Sequence, residues 1–447
     1  MKRLGILLLV VVLAGAGAAY WYATRTPSSP FDAAANVGPP TPLDRSEYVA
    51  RLADCIACHS TSDGAPFAGG LKMGTPLGAI YSTNITPDRE TGIGTYTLAQ
   101  FDNAVRRGVA ADGHRLYPAM PFPSYAKMSD ADVKALYDYF MTHVQPVKQL
   151  NRTSEIRWPL DMRWPLAFWS GIYAGSDPFK PDAGKDELWN RGAYLVEGPG
   201  HCGSCHTPRG VAFDEVALDD GSSHYLGGAG LDGWYAPSLR GEQSIGLGRW
   251  SEADIVAFLK HGRNAHGVVF GSMTDAYNNS TQFMSDADLA AIAHYLKALP
   301  ADPSRADRPW AYDAEAARTA AIGTTPAAAG ARIFTARCSF CHGQDGRGQG
   351  QWLSPLAGTS SALAADSASM VNVVLNGSDR VVSGGVPDAY RMPPFRAQLS
   401  DAEIADMLTF VRSAWGNAST PVTADQVKDL RERSRPASSE AIVLQMR

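Results

Sequence analysis

The chain has 447 residues, a length that suits about three domains of ordinary size. Its net charge of −5 and the absence of a long basic run argue against nucleic acid as a partner, while leaving protein partners open. The 43 glycines and 29 prolines are typical of loop-rich domains and argue against extensive sheets.

Residues 1–26 have the pattern of an export signal. Lys2 and Arg3 form a basic start, and residues 4–22 follow without a charge. This apolar run is near the lower length limit for a spanning helix, and aromatic residues 20–22 stand where an interfacial belt would lie. These features favour an uncleaved membrane anchor, with signal cleavage after the small residues 14–18 as the alternative. In both cases the bulk of the chain lies outside the inner membrane, at its periplasmic face.

The pentapeptide Cys-x-x-Cys-His occurs three times and uses all six cysteines. On a helical turn the two thiols share a face and can bond the two vinyl groups of one porphyrin, while the histidine binds the iron. A zinc site or a redox disulfide is the alternative, but three complete motifs with no spare thiol favour three covalent haems. The predicted attachment residues are Cys55, Cys58, Cys202, Cys205, Cys338 and Cys341, and the predicted axial histidines are His59, His206 and His342.

A helix signature also repeats three times, after each haem motif. It consists of a Ser N-cap, an acidic residue three positions later and an apolar stripe with an aromatic at position ten. The three caps are Ser129, Ser285 and Ser400. The sequence therefore predicts a mainly α fold with three tandem haem domains of the c type. The predicted domains are 43–147, 188–300 and 327–415, with linkers at 148–187 and 301–326 and a tail at 416–447.

Upstream of each signature a shorter helix is predicted, over residues 97–108, 251–262 and 369–377, followed by a loop rich in Gly or Pro. A methionine in each loop is the predicted sixth iron ligand, because a thioether suits iron opposite His and raises its reduction potential. The three predicted ligands are Met120, Met273 and Met392.

The sequence offers two alternatives to these methionines. Met128 and Met284 precede the Ser caps, but their counterpart Leu399 cannot bind iron, so this position is predicted to pack on its own helix. His114 and His266 would give bis-histidine ligation, but the third repeat has no histidine besides its motif histidine. The repeat logic therefore favours methionine in all three domains.

The linkers and the tail have distinct compositions. In the first linker, Arg-Trp-Pro-Leu at 157–160 returns at 163–166. Its aromatics are predicted to pack on neighbouring domains, with a docking surface for a partner subunit or the membrane as the alternative. The second linker is predicted to be a spacer, and an amphipathic stretch at 422–431 to be a loose tail or a subunit contact.

Several stretches outside the haem motifs carry a specific resemblance. The clearest are Tyr-Ser-Thr-Asn-Ile-Thr-Pro-Asp at 81–88 and Arg-Gly-Ala-Tyr-Leu-Val-Glu-Gly at 191–198, and others lie at 117–125, 201–209, 279–284 and 295–297. On these residues the chain resembles, from about residue 44 to 416, the triheme cytochrome c subunit of bacterial membrane-bound dehydrogenases. That group includes quinoprotein alcohol dehydrogenase and gluconate 2-dehydrogenase.

The resemblance implies electron transfer and no catalytic site in this chain. A separate catalytic subunit, dependent on a quinone, flavin or molybdenum cofactor, would oxidise an alcohol, aldehyde or sugar acid, and this chain would pass the electrons to ubiquinone. Ligation by His and Met on both sides of each iron leaves no position for substrate, which agrees with that role. A multihaem peroxidase and a free-standing electron carrier or oxidase subunit are the alternatives.

Overall fold

The computed structural model describes residues 2–32, 38–75, 77–231, 233–305, 307–350 and 352–437, without the Lys2 side chain. Met1 and the last ten residues of the predicted tail lie outside the described residues. The described chain is mainly helical, and its strands form two-stranded antiparallel hairpins.

The apolar run forms helix α1 (Lys2–Thr24). Within the described residues, α1 is the one helix long and apolar enough to cross a membrane. Its apolar side chains from Leu4 to Leu13 are exposed, so the rest of the protein does not bury them. The helix contains neither acidic residues in its first turn nor basic residues in its last turn.

The elements that follow α1 form what we call the first unit. It comprises α2 (Leu43–Leu52), α3 (Cys55–His59), β1 (Lys72–Thr75), β2 (Gly78–Tyr81), α4 (Leu98–Arg107), α5 (Phe122–Tyr125) and α6 (Asp130–Thr142). The buried stripe of α6 packs on α2 and α4 and closes a hydrophobic core around Phe67 and Tyr139. Burial of such a stripe is the main source of stability for helices of this length.

Helix α7 (Leu166–Tyr173) lies in the first linker, and the second unit follows it. The second unit comprises α8 (Glu187–Glu197), α9 (Gly203–His206), β3 (Ala229–Leu231), β4 (Trp234–Ala236), α10 (Glu252–His261), β5 (Arg263–Asn264), β6 (Gly267–Val268), α11 (Ser272–Asn279), a 3₁₀ turn (Thr281–Phe283) and α12 (Asp286–Ala298). Its core lies between α8 and α12.

The remaining elements form the third unit. They are α13 (Ala314–Ala320), α14 (Pro326–Arg337), α15 (Ser339–His342), α16 (Ser360–Leu363), α17 (Ala368–Asn376), β7 (Val382–Ser383), β8 (Val386–Pro387), α18 (Asp401–Ser413) and α19 (Ala424–Arg433). Here α14 and α18 pack as α8 and α12 do.

A glycine allows the close helix crossing in the second and third units. In α8, a Cβ at Gly192 would overlap the carbonyl oxygen of Ala291 in α12 and lie 2.6 Å from the Cβ of Tyr295. In α14, a Cβ at Gly330 would overlap the carbonyl oxygen of Asp406 in α18. The backbones of the paired helices are therefore in direct contact, which fixes the position of the haem motif that follows each first helix.

The repeated helix signature is confirmed. The side chains of Ser129, Ser285 and Ser400 each accept a hydrogen bond from the backbone N–H three residues later, as an N-cap does. The predicted start of α17 at 369 is wrong by two positions, because the N-cap is Ser367. The Ser369 hydroxyl instead donates to the carbonyl of Tyr235 in the second unit, at 3.0 Å.

Two expectations for the connecting segments are wrong. The stretch at 422–431 is not loose, because Val422, Val427 and Leu430 are buried in the core of the third unit. The second linker is more than a spacer, because Asp307 accepts backbone N–H groups of Gln243 and Ser244 from the second unit. Burial of apolar side chains holds the first of these segments, and hydrogen bonds to a carboxylate hold the second, where composition alone suggested freedom.

The tryptophans of the first linker differ in their surroundings. Trp169 packs on Phe122 with ring centroids 6.0 Å apart, and its indole N–H donates to the carbonyl of Ala212 at 2.8 Å. Trp158 and Trp164 are exposed. Packing on neighbouring units is thus confirmed for Trp169 but not for the two tryptophans of the repeated tetrapeptide.

Candidate haem sites

All three Cys-x-x-Cys-His motifs fold into a short helical turn that follows a longer helix of their unit. These turns are α3, α9 and α15, and each is preceded closely by α2, α8 or α14. The first cysteine of each motif packs against the core of its own unit; these residues are Cys55, Cys202 and Cys338. The helical turn places both thiols on one side, as two-point attachment of a porphyrin requires.

The motif histidines make the same hydrogen bond in all three units. Nδ1 of His59 lies 2.7 Å from the carbonyl oxygen of Thr83, Nδ1 of His206 lies 2.7 Å from that of Pro237, and Nδ1 of His342 lies 2.8 Å from that of Ser354. A carbonyl can only accept, so Nδ1 carries the proton and Nε2 keeps its lone pair. This tautomer and a fixed ring are what an axial iron ligand needs.

A glycine also binds the backbone of each motif histidine. The backbone N–H of Gly69 donates to the carbonyl of His59 at 2.8 Å, that of Gly228 to His206 at 2.7 Å and that of Gly348 to His342 at 2.8 Å. All three glycines have positive φ, between 71° and 89°, where a side chain would be strained. We call each set of glycine N–H, motif histidine and accepting carbonyl a histidine clamp.

The electrostatics of the motifs follow from their burial. Burial raises the pKa of the Cys55 and Cys202 thiols to about 12 and that of Cys338 to about 11, so these cysteines are neutral thiols at neutral pH. Burial lowers the pKa of the motif histidines, and the carbonyl hydrogen bond opposes this only in part. The imidazoles are therefore neutral at neutral pH, the form that binds a metal, and the residues present fit haem c.

The predicted methionine ligands lie in different surroundings. Met120 and Met392 lie in loops and pack against the same cores as Cys55 and Cys338, respectively. Met273 is in the first turn of α11 and not in a loop, and it packs in a separate small cluster with Val269, Tyr277 and Val381. The structure thus brings methionine and cysteine onto one core in the first and third units, and onto two neighbouring clusters in the second.

The alternative methionines are core residues. Met128 is fully buried in the first unit, and Met284 and its counterpart Leu399 are buried in the cores of the second and third units. All three residues are buried, which confirms that the position before the Ser cap is a core position.

The alternative histidines have other partners. The Nδ1 atom of His114 lies 2.5 Å from Oδ1 of Asp112 in its own turn. His266 stacks on Trp250, with centroids 5.0 Å apart and ring planes 14° apart, and its Nε2 lies 3.5 Å from Asp254. These contacts favour methionine over bis-histidine ligation.

A pair of crossed contacts joins the first and second units. The hydroxyl of Tyr48 in α2 donates to Asp288 in α12 at 2.5 Å. Asp288 also accepts hydrogen bonds from Nε and Nη2 of Arg191 in α8, at 2.7 and 2.8 Å. Burial alone would raise the pKa of Asp288, but the hydrogen bonds from Arg191 and Tyr48 outweigh it and lower the pKa below its ordinary value.

In the second contact the roles of the units are reversed: the tyrosine comes from the second unit and the aspartate from the first. Tyr194 in α8 donates its hydroxyl to Asp132 in α6, which also pairs with Arg45 in α2. Burial, followed by the charge of Asp132, raises the pKa of Tyr194 to about 12, so the phenol remains a donor. Sequence reasoning missed this interface, although the spacing Arg-x-x-Tyr, at 45–48 and 191–194, was a usable signal.

A buried ion pair lies beside the crossed contacts. Nζ of Lys127, from the first unit, is 2.7 Å from Oε2 of Glu197 in the second, and Tyr295 donates to Oε1 of the same carboxylate at 2.7 Å. Burial raises the pKa of Glu197, and the charge of Lys127 opposes this rise. Lys127 therefore neutralises a carboxylate that its surroundings would otherwise disfavour.

Helix α11, which carries Met273, lies where the three units meet. It packs against α3, the haem-motif helix of the first unit. Towards the third unit, Tyr277 donates to the hydroxyl of Ser383 at 2.9 Å, and Asn278 exchanges hydrogen bonds with the backbone of Arg380 and Val382. The second unit thus contacts the haem motif of the first unit and the hairpin of the third through one helix.

Comparison with known proteins agrees with this geometry. The family model for cytochrome c matches residues 190–300 and 327–415. The chain is 48% identical over 401 residues to the cytochrome c subunit of alcohol dehydrogenase (quinone) from Gluconacetobacter polyoxogenes, covering 89% of this chain and 86% of that protein. It is 48% identical to the gluconate 2-dehydrogenase cytochrome c subunit of Pantoea cypripedii, covering 87% and 89%. It is 37% identical to the fructose dehydrogenase cytochrome subunit of Gluconobacter japonicus, covering 87% and 82%. The chain therefore belongs to the cytochrome c family, in the group of dehydrogenase cytochrome c subunits, and its role is electron transfer through covalently bound haem c.

Proposed function

We propose that this chain carries three haems c and passes electrons from a catalytic dehydrogenase subunit to ubiquinone at the periplasmic face of the inner membrane. The observation that supports three haems is the histidine clamp, which occurs once in each unit with hydrogen bonds of 2.7 to 2.8 Å. It includes the first unit, which lies outside the residues matched by the cytochrome c family model. When bound, each haem supplies a one-electron centre.

The residues of each unit are proposed to hold the iron between a clamped histidine and a methionine. The clamp fixes the ring of His59, His206 or His342. Met120, Met273 and Met392 would supply the other ligand, and each lies between the shorter helix and the Ser-capped helix of its unit. A histidine and a methionine on each iron would leave no coordination position for substrate, so substrate oxidation is proposed to belong to the partner subunit.

The second unit is proposed to be the middle of the relay. Its helix α11 contacts the first motif helix, Cys55–His59, and reaches Ser383 and Val382 of the third unit. Electrons that enter at the first or third unit would therefore pass the residues of the second. Helix α1 is proposed to be an uncleaved anchor that holds the relay beside the quinone pool.

Haem count and ligation are tested by mass and spectroscopy. We expect the mature chain to exceed its polypeptide mass by three haems, and Met120→Leu, Met273→Leu and Met392→Leu each to convert one haem to a high-spin or misligated form of lower potential. Met128→Leu, a volume-conserving change in the core, is the matched control and should leave the spectrum unchanged. An excess of two haems, or loss of the sulfur-to-iron band in the control, would contradict the assignment.

The electron path is tested in membranes that contain the complete complex. Substrate of the dehydrogenase should reduce a ubiquinone analogue, and deletion of this chain should abolish that reaction while activity with a small artificial acceptor persists. Reduction of quinone that continues unchanged without this chain would refute the role, as would oxidation of an alcohol or sugar acid by the isolated chain.

A further inference from the structure

The first linker presents an apolar surface beside the end of α1. Trp158 is 78% exposed, Trp164 51% and Ile172 72%, and Leu160 between them is also exposed. Helix α7, which carries Ile172, contains no charged residue. Soluble surfaces seldom expose several large apolar side chains from one short segment, so this surface, residues 157–173, requires a partner.

The linker surface is continuous with α1. The rings of Phe168 and Tyr22 lie 5.3 Å apart, and Trp164 packs on Phe168 at 6.2 Å. Gly171 comes so close to Tyr22 that a Cβ there would overlap the tyrosine hydroxyl. The linker therefore packs on the last turn of α1 and cannot move away from it without losing these contacts.

The position of that last turn relative to a bilayer follows from length. Helix α1 has 23 residues, or about 35 Å at 1.5 Å per residue, against about 30 Å for the hydrocarbon core. Tyr22 then lies at the headgroup level, with the exposed Trp21 beside it. Because Phe168 packs on Tyr22, α7 lies at the same level, and its exposed Ile172 is free to contact lipid there.

The charges nearby suit a lipid surface. Arg25 is exposed beside the rings of Trp21 and Tyr22, at 5.3 and 4.7 Å from their centroids. Residues 157–173 contain two arginines and one aspartate, and Arg157 is exposed. Cations at the edge of an apolar aromatic surface match the phosphates of the headgroup region.

From these contacts we propose that the linker surface inserts into the outer leaflet of the membrane as a second, in-plane attachment beside α1. The hydrogen bond of Trp169 to Ala212 and its packing on Phe122 tie this surface to the second and first units. Lipid contact here would hold these two units at a fixed height above the bilayer. The inference rests on the proposed anchoring role of α1.

Photo-crosslinking in native membranes tests the proposal. The amino acid p-benzoyl-L-phenylalanine replaces Ile172, Trp158 or, as the matched control, Ile322, which is equally exposed, at 73%, but lies in the second linker. A fourth probe replaces Leu8, in the middle of α1. We expect lipid adducts at positions 8, 158 and 172, at least about tenfold above those at 322.

The outcomes separate this inference from the anchor itself. Lipid adducts at position 8 but none at 158 and 172 would refute the in-plane attachment and leave the anchor standing. No lipid adducts at position 8, 158 or 172 would refute both. Adducts at 158 and 172 to the dehydrogenase subunit would assign the surface to a protein partner, and equal lipid adducts at 322 would show that contact is not specific to the linker; either result overturns the proposal.

Discussion

The crossed tyrosines at the interface of the first and second units allow a prediction of its strength. In the double variant Tyr48→Phe, Tyr194→Phe both rings stay in place while the hydroxyls that reach Asp288 and Asp132 are removed. A hydrogen bond to a charged group contributes about 1.5–3 kcal/mol. Each aspartate keeps its arginine, so neither carboxylate is left unpaired and the larger penalty for an orphaned charge does not arise.

We therefore expect each single variant to lose about 1.5–3 kcal/mol and the double variant about 3–6 kcal/mol, if the two sites act independently. The assay is urea unfolding followed both by helical circular dichroism and by haem absorption, since a chain of several units need not unfold in one step. The loss should fall on the transition in which the first and second units separate.

Two controls make the test specific. Tyr390→Phe changes an exposed tyrosine of the third unit and should have little effect. Tyr194→Phe introduced into an Asp132→Asn background should cost clearly less than in the native chain, because the acceptor has lost its charge. A double variant within about 0.5 kcal/mol of the native chain would refute the reasoning, since surface changes fall in that range.

Three further predictions address the same region. Replacing Lys127 with Met should destabilise the chain by about 3–5 kcal/mol in urea unfolding, because Glu197 stays buried without its cation; a loss below about 1 kcal/mol would contradict a buried pair. Gly192→Ala should lower the free energy of unfolding by about 1–3 kcal/mol, because the new Cβ would overlap the carbonyl oxygen of Ala291. A thermal midpoint equal to that of the native chain would show instead that the two helices can move apart freely. The pKa of Asp288 is lowered in the folded chain. The pairing of Asp288 therefore stabilises the folded state fully above the ordinary aspartate pKa of about 4, and this stabilisation is lost as the pH falls through the lowered pKa. Unfolding midpoints measured from about pH 6 to pH 2 should show this loss in the native chain, and a weaker loss in Asp288→Asn.

The parts of the fold that depend on local spacing were predictable. The Ser caps at 129, 285 and 400, and the capped helices Leu98–Arg107 and Glu252–His261, follow from patterns within one helix. The packing of Met128 was likewise predictable, because its repeat counterpart is a leucine. The haem ligands stay predictions, although the clamps add a structural reason for the three histidines.

The parts that depend on contacts between units were not predictable from one sequence. Nothing local to Asp307 shows that it accepts backbone N–H groups of residues 243 and 244. Nothing local to Met273 shows that α11 begins one residue before it and lies against the first motif helix. Such contacts are fixed by how whole helices pack, and the sequence pattern records only which face is apolar.

Within the described residues, the third unit does not form crossed contacts of the kind that join the first and second units. Its residue equivalent to Asp132 and Asp288 is Glu403, and this longer side chain reaches back to the N–H of its own Ser400 at 2.8 Å, completing a capping box. Among the described hydrogen bonds, this carboxylate is bonded within its own helix, and none joins it to a tyrosine of another unit. The third unit instead meets the second through the hairpin near Ser383 and through Asn278. The first two units are joined by the crossed contacts, and the second and third by hydrogen bonds to α11 together with the buried ion pair of Arg263 and Asp388. If electrons pass through all three, the contact around α11 is the one that both transfers share, and changes there should affect them together.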